Sequence, residues 1–329
     1  MPSPMTDLKK ITIASRASPL AMVQARAVRA MLAELDGLTA YEAEAHYPIL
    51  ALTSSGDRNL ADSLANAGGK GLFTKEIEEA VLSGTADLAV HSMKDMPAEL
   101  PEGLVIGAIP RRENPADSFI SKIAGTIRAL PKKSVVGTSS VRRRAQLLHR
   151  RPDLEIVPLR GNVGTRLKKL AKGEVAATFL AEAGLRRLGL DLLNRTVLDP
   201  KEHLPALAQG ALCLEIRSDD AALKSRLQAL SCRATSLAIA LERGFLARLD
   251  GSCQTPMAGL AVLEGDEIGF RAEILSLDGR ECHKLSKTIP VPGEVGLEQQ
   301  MAALAGKGAA MAEELVSKLS PTLRAEIGL

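Results

Sequence analysis

Residues 134–148 read SVVGTSSVRRRAQLL. Val135 and Val136 make a short β-branched run, Gly137 to Ser140 a turn, and the arginine-rich segment beyond them a helix. Residues 154–170, LEIVPLRGNVGTRLKKL, repeat the arrangement, with Arg160 at the strand end and Gly161 to Thr165 as the turn. Residues 175–190, VAATFLAEAGLRRLGL, give it a third time in outline. Strands alternating with helices specify a largely parallel sheet covered by helices, so the fold class is α/β. In such sheets ligands sit beyond the carboxyl ends of the strands. At each turn, the N–H groups of a helix start and the adjacent arginines favour an anion. There is no Walker A motif and no GxGxxG, so these turns do not point to nucleotide phosphate. Arg142, Arg143 and Arg144 are consecutive and fan over roughly 200° of a helix, so they do not all face one ligand.

These segments lie within a strongly basic block. From Arg128 to Lys172 there are 13 lysines and arginines against Asp153 and Glu155, whereas the whole chain of 329 residues carries only +3. The remainder is mildly acidic, so the block marks one place where an anionic partner is held. Aromatic residues make up 2%, with no Trp, two Tyr and five Phe. Readers of nucleic acid or sugar that rely on rows of stacking rings are thereby excluded, and the core must be aliphatic. The four cysteines, Cys213, Cys232, Cys253 and Cys282, have no CxxC or Cys/His ligand spacing, so no metal site is expected. No apolar leader or long apolar run occurs, which suggests a cytoplasmic protein with free thiols and no membrane contact.

Working outward, residues 8–15 (LKKITIAS) read as a strand. Ser18 and Pro19 open a helix as N-cap and first-turn residue. Leu20, Val23, Ala27, Met31 and Leu35 recur at helical spacing as its core stripe. Residues 56–75, punctuated by Gly68, Gly69 and Gly71, read as a lid loop or an exposed linker. A helix over 75–82 and a strand over 87–90 follow, and the chain leaves that strand as HSMKDMP. This puts Ser92, Lys94 and Asp95 where ligands bind, with Asp95 stabilising a cation, acting as a base, or pairing with Lys94 at the surface. Residues 199–210, DPKEHLPALAQG, read as a crossover. Leu237, Leu241, Phe245 and Leu249 share one face of a later helix. After it, Cys253 sits in a Gly/Ser/Pro loop, where a thiol serves as a nucleophile or attachment point, or packs as a small apolar group. Strands and an Ala/Leu-rich terminal helix complete a small α+β unit.

The strings SRASPLAMVQA, GKGLFTKEIEEAVLSGTADLAVHSMKDMP, VGTSSVRRRAQL, LRGNVGTRLKKL, AGLRRLGL and GSCQTP run in order from about Ile11 to Pro256. Together they resemble the porphobilinogen deaminases, also called hydroxymethylbilane synthases. The resemblance implies two periplasmic-binding-protein-like (type II) α/β domains with crossovers and a small C-terminal α+β domain. It places the domains at 8–110 with 208–230, at 111–207 and at 231–329. It implies a monomeric transferase of porphyrin, tetrapyrrole and heme biosynthesis. That enzyme condenses four porphobilinogen molecules head to tail on a covalent dipyrromethane cofactor, releases four ammonia, and frees hydroxymethylbilane by hydrolysis. The cofactor thioether maps to Cys253 and the catalytic carboxylate to Asp95. Binding residues map to Arg16, Ser18, Gln24, Phe73, Ser92, Lys94, Thr138, Ser139, Ser140, Arg142, Arg143, Arg160, Arg166, Arg187 and Gln209. The chain departs from the family pattern at Ser252, where a second glycine usually precedes the cysteine, and at Ala208, where a glycine commonly precedes the glutamine. Each pyrrole of the substrate bears an acetate and a propionate, so the growing product is a polyanion that the basic block would neutralise. The rivals are a two-lobed anion- or solute-binding module without chemistry, and an RNA-binding face.

Overall fold

The helix read at Ser18-Pro19 forms as α1 (Pro19–Asp36). Ser18 accepts a hydrogen bond from Ala21 N at 3.4 Å, and Gly37 closes the other end at φ 66°. Its buried stripe is Ala21, Gln24, Ala25, Val28 and Leu32, next to the expected one, and Leu35 is 42% exposed. The small side chains of Ala21 and Ala25 face inward, while Leu20, Val23 and Met31 are only half-buried. The computed structural model describes residues 9–53, 74–249, 255–293 and 295–328.

Strands and helices, numbered in chain order, divide between two units. The first spans Met1–Met96, Leu100–Pro110 and Leu212–Ser231. It contains β1 (Ile13–Arg16), β2 (Ile49–Leu52), β3 (Leu88–Ser92), β4 (Leu104–Ala108) and β10 (Leu212–Arg217). Strand β1 is shorter than expected and begins at Ile13. The sheet order is β2-β1-β3-β10-β4, with β1, β2 and β3 parallel and β10 antiparallel to both neighbours. The sheet has two covered faces, as period-two alternation requires. On one, Ile13, Leu88, Val90, Leu212 and Leu214 pack with Val28 and Leu32 of α1 and with Leu223 and Leu227 of α7 (Ala221–Leu227). On the other, Ala14 and Ala89 pack with Ile77, Ala80 and Val81 of α3 (Lys75–Leu82), which follows α2 (Ala40–His46).

The second unit spans Pro97–Glu99, Arg111–Ala211 and Cys232–Leu329. Its first sheet has β5 (Asp117–Ser121), β6 (Val135–Gly137), β7 (Glu155–Val157), β8 (Ala177–Ala181) and β9 (Arg195–Val197), with helices α4 (Val141–Arg150), α5 (Val163–Ala171) and α6 (Glu182–Arg187). The order β7-β6-β8-β5-β9, with β5 antiparallel, repeats the pattern of the first unit. In both sheets the fourth strand is antiparallel to its neighbours and arrives by a crossover, and crossovers are what the family resemblance implies. The crossovers leave β4 for β5 and β9 for β10. The same unit holds an antiparallel meander of β11 (Met257–Glu264), β12 (Glu267–Leu275) and β13 (Cys282–Pro290). Against it pack α8 (Arg233–Arg248) and α9 (Leu297–Ser317), which precede α10 (Pro321–Glu326). Leu237, Leu241, Phe245 and Leu249 are buried as expected. Helices α8 and α9 cross closely because Gly244 and Gly308 lie against the backbone of Ala305 and Leu241, where a Cβ would come within 2.0 and 2.2 Å of a carbonyl oxygen.

The two crossovers are bonded to each other. Glu113 N donates to Gly210 O at 3.2 Å, and Arg112 Nε to Gln209 O at 2.7 Å. The fully buried Glu242 carboxylate of α8 accepts from Arg112 Nη1 at 2.6 Å, from Ala208 N and from Ala261 N at 2.8 Å. One carboxylate thus joins both crossovers to the third sheet. His203, on the returning crossover, is 1% exposed and stacks on Phe179 with ring centroids 5.9 Å apart. Burial pushes its pKa down to about 3 even though Asp117 Oδ2 lies 3.9 Å away.

Two stability outcomes follow. Ala208 holds φ 61°, a left-handed conformation that costs an L-residue about 1–2 kcal/mol. Ala208→Gly relieves this and loses a buried methyl worth about 0.8 kcal/mol. A net gain is therefore expected as a higher melting temperature. Gly210→Ala, whose Cβ would meet Glu113 O at 2.3 Å, should lower it. Melting curves check both. For His203, the folded pKa lies below the ordinary value of about 6.5, so the unfolded chain binds the extra proton and stability falls as pH drops from about 6.5 toward 3. At about 1.4 kcal/mol per pH unit, roughly 2 kcal/mol should be lost between pH 7 and 5. Urea unfolding at both pH values should show a smaller loss for His203→Gln; an equal loss would refute the assignment.

Candidate active site

In the first unit, β1 is flanked by β2 on one side and β3 on the other, so the chain reverses its direction of winding there. Ligand crevices open at such points, beyond the carboxyl ends of the strands. Arg16 ends β1, Ser18 caps α1, and Gln24 is buried on the second turn of α1, with Nε2 2.9 Å from Ser92 Oγ at the end of β3. The chain then makes a 3-10 turn over Met93–Asp95. Met93 is 1% exposed and anchors it, while Asp95 faces solvent. Arg16, Ser18, Gln24, Ser92 and Asp95 line one pocket together with Thr74 and His91. The sequence therefore brings five of its expected site residues to one place. Lys94 is half-buried on the same turn and is not among the pocket's lining residues. Phe73, Cys253 and residues 56–73 of the glycine-rich segment lie outside the described residues.

The second unit repeats the arrangement with different chemistry. Thr138, Ser139 and Ser140 follow β6. Thr138 Oγ1 accepts from Ser140 N at 3.1 Å, and Ser140 caps α4 by accepting from Arg143 N at 3.4 Å. Ser139 Oγ is buried and has no hydrogen-bond partner among the described residues. Arg160 lies three residues beyond the end of β7 and is half-buried. Arg166 Nε donates to Gly161 O at 2.8 Å. Arg187 Nη2 donates to Gly210 O at 2.7 Å, and burial pulls its pKa down. Arg186 and Arg187 lie in the last turn of α6, so the third strand–helix repeat does not set arginines at a helix start as the first two do.

Arg142 and Arg143 turn inward, and Arg144 faces solvent. Both inward guanidiniums meet the fully buried carboxylate of Asp117 at the start of β5. Arg142 Nη1 lies 2.8 Å from Oδ2 and Arg143 Nη2 2.6 Å from Oδ1, while Gln209 Nε2 donates to Oδ1 at 2.9 Å. Their remaining bonds go to Gln146, Leu204 O and Phe179 O. Burial alone would raise the pKa of Asp117, but the two guanidiniums hold it well below the usual carboxylate range. Two buried cations thus meet one carboxylate directly, and the buried carboxylate of Glu273 also acts on Arg142. Asp117 was missed because PADSF carries no motif. The available signal was that adjacent buried arginines demand a carboxylate, yet only the topology says which.

The thiols divide by environment. Cys213 is fully buried, and burial together with Glu273 pushes the Cys282 thiol up to about 11, so neither is a ready nucleophile. Among the described residues, no group of three or more His, Cys, Asp or Glu is placed to hold a metal ion, and no helix is long and apolar enough to cross a membrane.

The comparisons agree with this chemistry. Residues 11–225 match the family profile "Porphobilinogen deaminase, dipyromethane cofactor binding domain", and residues 236–320 match "Porphobilinogen deaminase, C-terminal domain". The porphobilinogen deaminase of Paracoccus denitrificans (strain Pd 1222) is 48% identical over 319 residues, covering 97% of this chain and 95% of that protein. That of Phenylobacterium zucineum (strain HLK1) is 51% identical over 273 residues, 82% and 85% of the two chains. That of Nitratidesulfovibrio vulgaris (strain DP4) is 46% identical over 312 residues, 94% and 97%. With the family profiles spanning both units and a carboxylate-bearing pocket at the end of β3, this chain belongs to the porphobilinogen deaminase family.

Proposed function

We propose that this chain condenses four porphobilinogen molecules head to tail, releasing four ammonia and yielding hydroxymethylbilane. The observation that carries the reading is Asp95 on its anchored 3-10 turn, in one pocket with Arg16, Ser18, Gln24 and Ser92. Loss of ammonia from porphobilinogen leaves a methylene-pyrrolenine cation, and a carboxylate held at the pyrrole nitrogen stabilises it. Asp95 takes this role. Arg16 and the hydroxyls of Ser18 and Ser92 hold substrate carboxylates.

The family's dipyrromethane carries the same acetates and propionates as the substrate, and the donors of the second unit fit it. Ser139 offers a buried hydroxyl without a partner among the described residues. Thr138, Ser140, Arg160, Arg166 and Arg187 surround the same strand ends, and Arg142 and Arg143 supply fixed positive charge through the Asp117 cluster. When bound, that group supplies the ring that the first substrate unit extends. Cys253 is its attachment point and Phe73 its apolar neighbour. Lys94 adds positive charge beside Asp95, and Gln209 positions Asp117.

Three separate sheets support a division into domains at 8–110 with 208–230, 111–207 and 231–329. The scarcity of aromatics supports a small-molecule partner and not nucleic acid, the cysteine spacing supports a cytoplasmic location, and family membership supports a monomer. A binding module without chemistry would need neither Asp95 nor Cys253.

Two outcomes are expected. Intact mass spectrometry of the purified protein should show an adduct of two pyrrole units, absent from Cys253→Ala; an unmodified mass for the folded wild type would sink the attachment. Asp95→Asn should keep the adduct and lose turnover by about 10²–10³-fold, as removal of a charge-stabilising group does. Near-normal ammonia release by that variant would remove Asp95 from its role.

A further inference from the structure

The α3-covered face of the first sheet holds ionisable groups that the reaction as described does not use. In the β3–β10 ladder Ala89 lies opposite Glu215 and His91 opposite Cys213, so these four side chains share one face. His91 Nε2 is 3.1 Å from Glu215 Oε2, with the two side chains 4% and 0% exposed. Glu78 of α3 is 6% exposed and close enough to act electrostatically on both. Glu215 Oε1 and Glu78 Oε1 are buried without hydrogen-bond partners among the described residues. Two carboxylates this deeply buried are costly unless protons or cations accompany them. Burial, with the Glu215 charge, pushes the Glu78 carboxyl up, toward its neutral form. The outer edge of this cluster is His91 itself, which lines the same pocket as Asp95, Arg16 and Ser92.

The inference rests on the porphobilinogen reading, whose chemistry asks for a second proton-handling group. In each condensation the aminomethyl C–N bond breaks and its electron pair leaves on nitrogen as ammonia. A C–C bond forms at the free α-carbon of a neighbouring pyrrole, and that carbon then gives up its proton. Proton and ammonia depart together as ammonium. Asp95 stabilises the cation only while ionised, and a carboxylate that took the proton would lose that charge. Dividing the tasks between two groups in different surroundings is the usual solution.

We infer that His91, oriented through Nε2 by Glu215, is the acceptor of the α-carbon proton in this pocket. A carboxylate behind the imidazole fixes the ring and its tautomer, leaving Nδ1 as the acceptor. Among the described residues, the charged and titratable groups around it are Glu215 and Cys213 of β10, Glu78 of α3, Arg16 of β1 and Asp95.

The test follows porphobilinogen turnover against pH for wild type, His91→Gln and Glu215→Gln, with substrate unlabelled or deuterated at its free α-carbon. His91→Gln should lower kcat by about 10²–10³-fold with KM little changed, and should reveal a primary isotope effect. Glu215→Gln should move the acid limb of the profile to lower pH, because the ring loses the neighbouring anion that favours its charged form. Nitrogen-15 NMR of ring-labelled histidine reads the same displacement of the His91 titration in resting protein, independently of turnover. Variants with the wild-type pH profile and no isotope effect overturn the assignment while wild-type turnover stands. Absence of ammonia release by wild type overturns the functional reading instead. If His91→Gln does not fold, Glu215→Gln and the NMR titration decide, and a His91 titration indifferent to Glu215→Gln overturns the assignment.

Discussion

A single buried carboxylate, Asp117, is the constraint on which the second unit is organised. It begins the antiparallel fourth strand and receives two guanidiniums from α4 and a carboxamide from the returning crossover. Three segments distant in sequence are thereby tied to one pair of oxygens. Burying such a group is tolerable only because every partner is in place, and removing one member of a buried pair costs about 3–5 kcal/mol. Two arginines of the basic block, Arg142 and Arg143, are parts of this assembly, and the buried carboxylate of Glu273 also acts on Arg142.

The two five-stranded sheets are the same topology used twice. Each places its side chains of interest beyond the ends of parallel strands flanking a reversal in winding. In the first unit that place carries a solvent-facing carboxylate on a turn anchored by Met93. In the second it carries hydroxyls from Thr138, Ser139 and Ser140 above a buried arginine–carboxylate cluster. Geometry is shared, and the chemistry differs.

Much of this was legible in the sequence. Ser18-Pro19, the valines before Gly137 and the Leu237–Leu249 stripe encode local structure in local signals. Strands β5, β9 and β10 were not read, because their alignment depends on crossovers whose partners lie far off in the chain. Strand β13 was missed for a different reason. Its outer face is polar and only Leu285 and Ile289 point inward among HKLSKTIP, too sparse an alternation to stand out. The inward turn of Arg142 and Arg143 was likewise hidden, since their counter-ion lies some 25 residues earlier. The Ala21-based stripe of α1 escaped because small residues carry little hydropathy, though they set how closely a helix approaches a sheet. No local signal pairs His91 with Glu215, which lies 124 residues later in the chain.

The place of β10 in the first sheet also governs the order in which the protein can be built. It lies between β3 and β4, so both strands expose unpaired N–H and C=O edges until Leu212–Arg217 leaves the ribosome. Between Ala108 and Leu212 the whole five-stranded sheet of the second unit is synthesised, a delay of about 5–20 s at ordinary elongation rates. The N-terminal third of the nascent chain therefore waits, incomplete, for a strand encoded two thirds of the way along. During that interval its own fold leaves these two edges unprotected against pairing with other chains.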